Sequence, residues 1–326
     1  MIIFLLHGIA ASYGQASKPL IRLEQISPEF STIVSKTAKA KILADGFSWS
    51  EGPLWVESHK MFLFSDVKKN IIYKWTQEKG KEVYLSPAGY TGKTPRGGEL
   101  GSNGLCLNPK GQLVICQDGD RVVSIMDAPL NKPQPKFIRI ASSYNGKKFD
   151  SPNDLAVLSN GDIYFTDPPY GLEGNVKDPL KEAPYQGLYR IAKNGKITLL
   201  TDTLTRPNGI AFFPGGKTVL ISNSDDGKAN WYIYDLDNHG LFTHGRIFYS
   251  ANTATKTAAG MPDGLKIDRR GTVFATGPGG IWIFNSTGKL LGKILVNDLA
   301  SNCSLSGDEK TLYVTSNHRV LKIALR

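Results

Sequence analysis

Short apolar runs, and runs in which apolar and polar residues alternate, recur along the whole chain, each closed by Gly, Asp, Asn or Pro. A period of two over so few residues marks a strand with one or both faces buried, and the turn residues between such runs mark hairpins. Clear cases are Lys60–Asp66, Ile71–Trp75, Asp162–Asp167, Gly187–Ile191, Trp231–Asp235 and Gly280–Phe284. No stretch keeps apolar residues at helical spacing for a useful length, so the pattern predicts an all-β protein.

The runs are organised by a repeat. Ser102-Asn103-Gly104-Leu105, Pro152-Asn153-Asp154-Leu155, Pro207-Asn208-Gly209-Ile210, Pro262-Asp263-Gly264-Leu265 and Ser301-Asn302-Cys303-Ser304 share an Asn or Asp at one place, and Glu51-Gly52-Pro53-Leu54 puts a glutamate there. These positions, 51, 103, 153, 208, 263 and 302, are 52, 50, 55, 55 and 39 residues apart. Six units of several short strands at such a period predict a six-bladed β-propeller. The run Ala40–Ala44, ahead of the first unit, is expected to supply an outer strand to the last blade, pairing edges that would otherwise be open. Two segments without strand pattern, Gly89–Gly101 and Gly171–Gln186, are expected to lie on one face and shape access to a site.

The first sixteen residues, apolar and then small, read as a signal peptide cut near Ala16-Ser17 that lacks a charged start. The resulting division is 1–16 signal peptide, 17–30 N-terminal extension and 31–326 propeller, with a secreted or periplasmic location. No later stretch approaches the roughly 18 apolar residues a membrane helix needs, so membrane insertion is not expected.

Charge changes the picture little. The chain carries a formal +10. Its lysines nonetheless stand singly or in pairs, without the basic stripe interleaved with aromatics that nucleic-acid binding requires, so small anions are the plainer partners. Cys106, Cys116 and Cys303 have neither metal-ligand nor redox spacing and read as small buried residues within strands.

Propeller geometry turns the repeat into a candidate site. Every inner strand starts near the central axis, so Glu51, Asn153, Asn208 and Asp263 project toward one point. Each offers a carboxylate or amide oxygen, and the set contains no imidazole or thiolate. Hard divalent cations take such donors, which makes one calcium ion the leading occupant, with magnesium, manganese or zinc as alternatives. A turn preference accounts for Pro and Gly in these motifs. It does not account for a glutamate in the first unit.

Five elements, Glu51–Trp55, Ser151–Asp154 with Phe165–Gly171, Arg206–Gly209, Pro262–Gly264 and Leu312–Thr315, resemble the gluconolactonase and regucalcin (senescence marker protein) family, the bacterial gluconolactonase branch most closely. The resemblance runs from about Gly46 to Thr315. It implies a propeller hydrolase with a catalytic metal held at Glu51, Asn208 and Asp263, and in relatives also at Asn153, a position that further contacts substrate. Some members place an arginine two residues before that asparagine; this chain has Ser151.

The implied reaction is hydrolysis of a small sugar-acid lactone, a metal polarising the carbonyl and water attacking it. Asp263 is the candidate general base, with Glu51 or a hydroxide on the metal as alternatives. Asn103 and Tyr170 are candidate substrate contacts at the mouth. Asp154 is either a further contact that orients Asn153 or a turn residue. Rival readings are an arylesterase or phosphotriesterase on the same scaffold, and a non-catalytic propeller that binds a ligand. Oligomeric state has no signal in the sequence.

Overall fold

The computed structural model of the chain describes residues 19–326. The expected signal peptide therefore lies outside the described residues. Among them are six antiparallel sheets of four or five strands, plus one two-stranded hairpin pairing Ser143–Tyr144 with Lys147–Lys148. The six sheets are the blades, and their inner strands are Ser50–Val56, Ser102–Leu107, Leu155–Val157, Pro207–Phe212, Leu265–Ile267 and Asn302–Leu305. The longest helix among the described residues, Phe30–Ile33, spans four residues. No helix there is long and apolar enough to cross a membrane.

The core is a ring of six clusters, each between two neighbouring blades. Blades 4 and 5, for example, share Leu220, Trp231, Val273, Trp282 and Phe284. This arrangement explains strands that are apolar on both faces: each blade is sandwiched between two others, so both sides of Met61–Asp66 and Gly280–Phe284 are buried.

Ring closure follows the sequence expectation, because Ala40–Asp45 pairs antiparallel with Arg319–Ala324 as the outer strand of blade 6. Trp55 of blade 1 then stacks on Tyr313 of blade 6, ring centroids 5.3 Å apart. The boundary drawn at residue 31 is corrected. Ile21–Gln25 pairs with Leu290–Val296 as a fifth strand on blade 5, and Phe30 is buried in the core between blades 5 and 6. The physical reason is the free edge of blade 5: pairing satisfies its backbone groups and brings an apolar segment to cover its flank.

A second ring lies close to the axis. Near the end of the second strand of a blade, a hydroxyl donates to a main-chain carbonyl of the next blade: Ser65 to Asn103 (2.9 Å), Thr166 to Asn208 (2.7 Å), Ser222 to Asp263 (2.5 Å) and Thr276 to Ser301 (3.0 Å). Ser301 of blade 6 continues the ring to Ser50 of blade 1 (2.7 Å). Cys116 holds the corresponding place in blade 2 and is buried, as expected from its sequence setting. These bonds tie the inner strands of blades 1, 2, 4, 5 and 6 at the residue whose side chain, or whose neighbour's, faces the axis.

Candidate active site on the propeller axis

Two local devices aim the oxygen donors. In blades 1, 2 and 4 the pairing of inner and second strands shifts register at the motif, between Glu51 and Leu54, Ser102 and Leu105, and Pro207 and Ile210. A bulge there bends the strand and turns Glu51, Asn103 and Asn208 toward the axis. In blades 3 and 5 the regular strand begins only after the donor, at Leu155 and Leu265, so Asn153 and Asp263 sit in the bend before it. Blade 6 has neither feature. Asn302 pairs in register with Thr315, and its amide donates to Glu51 Oε2 at 3.3 Å.

The glycine after most donors is explained by packing as much as by turns. A Cβ on Gly104 would come within 2.8 Å of the Asn153 carbonyl oxygen, and one on Gly209 within 2.4 Å of the Asp263 carbonyl oxygen. At these two positions the neighbouring backbone approaches too closely for a side chain.

These elements enclose a cleft of about 330 Å³ lined by Glu51, Asn103, Asn153, Tyr170, Asn208 and Asp263 together with Trp49, Glu99, Arg206, Ser224, Gly260, Met261, Leu299 and Ala300. Six of the seven residues singled out from the sequence thus share one cavity. Asp154 does not line it, which corrects its reading as a substrate contact. Successive residues of extended chain face opposite ways, and Asp154 is buried beneath Asn103-Gly104, its Oδ1 accepting from the Leu155 N–H at 2.8 Å.

Glu99 and Arg206 are the functional candidates that sequence reasoning passed over. Glu99 comes from the loop 89–101, held over the cleft by its own N–H to the Tyr170 carbonyl (3.2 Å) and by the Gly101 N–H to the Val67 carbonyl (2.7 Å). Arg206 stands two residues before Asn208, the offset Ser151 has from Asn153, and that shared register was the signal available. Ser151 is buried and occupied: its hydroxyl donates to the Pro168 carbonyl at 2.5 Å and accepts from the Gly171 N–H at 2.8 Å. Asp167 accepts from the N–H groups of Asp150 (2.9 Å) and Ser151 (2.8 Å), and so fixes the backbone leading to Asn153.

The cavity floor is acidic. Burial, and then the neighbouring carboxyl of Asp154, push Glu51 up to about 8 against the bond from the Gly52 N–H. Burial also raises Glu99 to about 7, with Lys68 opposing. Asp263 is held well above the carboxylate range by burial and then by Glu51, Glu99 and Asp154. Asp118 behind them is raised by burial and by Glu99, and neither of its buried oxygens has a hydrogen-bond partner among the described residues; nor does Asp154 Oδ2.

A divalent cation fits this set, since it would offset the mutual repulsion of the carboxyls and take oxygen donors by preference. Asn208 Nδ2 donates to Ser224 Oγ at 3.1 Å, which leaves Oδ1 free of protein partners. The set is two carboxylates and two amides; no group of three or more His, Cys, Asp or Glu arranged to hold a metal occurs among the described residues.

A stability prediction follows from Glu51 and Glu99. Glu51 and Glu99 are raised above their ordinary 4.5, so between about 4.5 and 8 the native state holds more protons than the unfolded chain. Stability of metal-stripped protein is therefore expected to be greatest below that window and to fall as pH rises through it. Thermal unfolding at pH 5.5 and pH 8.5 checks this. The expected result is a lower Tm at pH 8.5, largely restored by calcium.

Fold and site together define an all-β propeller with one axial, oxygen-lined cavity at the convergence of its inner strands. The chain belongs to the SMP-30/gluconolactonase/LRE-like family, whose model matches residues 49–318. It is 35% identical over 320 residues to a gluconolactonase of Zymomonas mobilis, covering 96% of this chain and 89% of that one. A gluconolactonase structure from Xanthomonas campestris superposes with a TM-score of 0.80 at 26% identity, over 95% of this chain and 96% of its own. A calcium-binding regucalcin from Agrobacterium tumefaciens shares the fold at 17% identity and a TM-score of 0.68, over 88% of this chain and 95% of its own.

Proposed function

We propose that this chain hydrolyses a small sugar-acid lactone and depends on one divalent cation, calcium foremost, held by Glu51, Asn153, Asn208 and Asp263. The carrying observation is that these four oxygen donors line one cavity in a chain 35% identical to a gluconolactonase over nearly its full length. Such a cation, when bound, supplies Lewis-acid polarisation of the ester carbonyl and lowers the carboxyl pKa values.

The protein's own groups do the rest. Asp263 is the better base of the two carboxyls, because Glu51 Oε2 already accepts from the Gly52 N–H (3.0 Å) and the Asn302 amide (3.3 Å), whereas the Asp263 carboxyl lines the cavity beside Asn208. It takes the proton of the attacking water at a carboxylate oxygen and returns it to the departing alkoxide. Asn103 and Tyr170, the latter kept a phenol by burial, line the cavity and present neutral hydrogen-bonding groups to the substrate hydroxyls. Trp49, Met261 and Leu299 form an apolar wall that limits water around the reacting ester.

The test is a substrate panel of lactones, aryl esters and phosphotriesters on metal-stripped protein reconstituted with single cations. Stripping is expected to reduce lactone turnover by at least about 10²-fold, the scale of losing one oxyanion-stabilising group, and calcium to restore it. Turnover indifferent to chelation would remove the cation. Hydrolysis of aryl esters or phosphotriesters with none of lactones would move the chain to the rival hydrolase class.

A further inference from the structure

We propose that Arg206 is an anchor for a carboxylate on the part of the substrate remote from the reacting ester, which makes the preferred substrate the lactone of a sugar dicarboxylic acid. The inference rests on the lactonase reading and adds the substrate class to it.

Among the described residues, Arg206 is the sole cationic side chain lining the cavity. It forms no ion pair with any carboxylate among the described residues; its guanidinium lies over the Tyr170 ring, 5.8 Å from the centroid. The ring contact holds the guanidinium beside the cleft, and a guanidinium's planar fork of N–H donors matches a carboxylate in two parallel hydrogen bonds. The nearby acid Glu99 is influenced by Lys68 rather than by Arg206. The carboxyls of the same cavity make no direct ion pair with Arg206, so a substrate carboxylate can take that place and offset the desolvation of this partly buried cation.

The side chain is also positioned in advance. Its backbone N–H donates to Asn223 Oδ1 at 2.7 Å, its carbonyl accepts from the Ser224 N–H at 2.9 Å, and Pro207 restricts it to extended conformations. Asn208 follows two residues later, so an ester carbonyl at the metal donors and a carboxylate at Arg206 are read by one rigid strand start. With a dication balancing Glu51 and Asp263, the titratable groups left in the cleft are Tyr170, Glu99 and Arg206, and of these only Arg206 attracts an anion. A neutral polyhydroxy lactone would be served by Asn103, Tyr170 and Ser224 alone and gives no use to the cation.

The test compares kcat/KM for D-glucarolactone, which keeps a free carboxylate, with that for neutral D-gluconolactone, on calcium-loaded protein. A preference of at least about tenfold for the anionic lactone is expected, the scale of a charge-assisted pair of hydrogen bonds, shrinking as salt screens it. Arg206→Met is expected to lower both values but to collapse their ratio at least about tenfold, mainly through KM, with Arg206→Lys intermediate. An unchanged ratio in Arg206→Met, or a wild-type preference for the neutral lactone, overturns the proposal. Calorimetric binding of D-glucarate and D-gluconate to the wild type separates the two readings. Glucarate binding that is tighter and weakened by Arg206→Met, with no lactone turned over, keeps the carboxylate anchor and removes the hydrolase. Turnover of both lactones without discrimination keeps the hydrolase and removes the anchor. Thermal unfolding of both variants identifies any loss caused by misfolding, and the salt dependence of the wild type tests the proposal without a variant.

Discussion

Asp263→Ala is expected to lower kcat/KM for a lactone by at least about 10² to 10³-fold, the loss typical of removing one oxyanion-stabilising group. The residue is asked for two things, a ligand oxygen and a proton acceptor, and both are lost together. Asn103→Ala should cost less, because Asn103 lies outside the proposed ligand set. Asp263→Asn separates the roles: it keeps an amide oxygen for the cation but cannot take a proton. A variant that binds calcium normally and keeps near wild-type kcat would make Asp263 a ligand only, and the base would then be sought at Glu51. A stability measurement excludes trivial unfolding. Burial and the carboxyls of Glu51, Glu99 and Asp154 disfavour a charge on Asp263, so metal-stripped Asp263→Asn at pH 8.5 is expected to melt higher than metal-stripped wild type. A lower Tm would show that the acidic cluster is not a source of strain in the free protein.

Gly52→Ala is expected to be among the most disruptive single-methyl changes at the described glycines. Its Cβ would lie 1.8 Å from the Asn103 carbonyl oxygen and 2.8 Å from the carbonyl carbon, and the backbone there has φ +52°. Both obstacles are main chain, and that carbonyl is fixed from the other side by Ser65 Oγ, so neither can swing away. Left-handed backbone costs about 1 to 2 kcal/mol and overpacking about 1 to 3 kcal/mol, for a combined loss on the order of 3 kcal/mol. The displaced residues are Glu51 and Asn103, so calcium affinity and turnover should fall with stability. Gly111→Ala is the control: φ is +74° but nothing stands within 4 Å of the added carbon, and only the backbone cost applies. Denaturant unfolding of the two variants decides the matter, and equal losses would mean that close approach at the axis is not what position 52 requires.

Most of the architecture is written as a period. Six recurrences of an oxygen-bearing residue ahead of an apolar run are enough to infer blades, because a propeller must build each blade from local hairpins of adjacent sequence. The closing strand Ala40–Asp45 was legible for a related reason: an apolar run ahead of the first unit and an open edge after the last have one economical solution. The fifth strand Ile21–Gln25 was not, since blade 5 carries no sequence mark saying that its outer edge takes another strand.

At the site the division falls between residues inside the repeat and residues outside it. Glu51, Asn103, Asn153, Asn208 and Asp263 could be named from sequence because equal places in equal blades converge on one axis. Asp154 shows the limit of that logic. It is adjacent to a donor, yet chain alternation sends it beneath the cavity, and a repeat register alone does not say which face a flanking side chain takes. Glu99 and Arg206 mark the other limit. Glu99 reaches the cleft through a loop whose path depends on main-chain bonds to Tyr170 and Val67, contacts between segments of no shared pattern. Arg206 opens the motif Arg206–Gly209, but whether its side chain enters the cavity depends on the Tyr170 ring contributed by blade 3. The sequence by itself determined the fold class, the number of blades and which oxygens meet, all consequences of local periodicity. Only the tertiary structure decided what surrounds those oxygens, because loops and aromatic neighbours from different blades are placed by packing and carry no period to read.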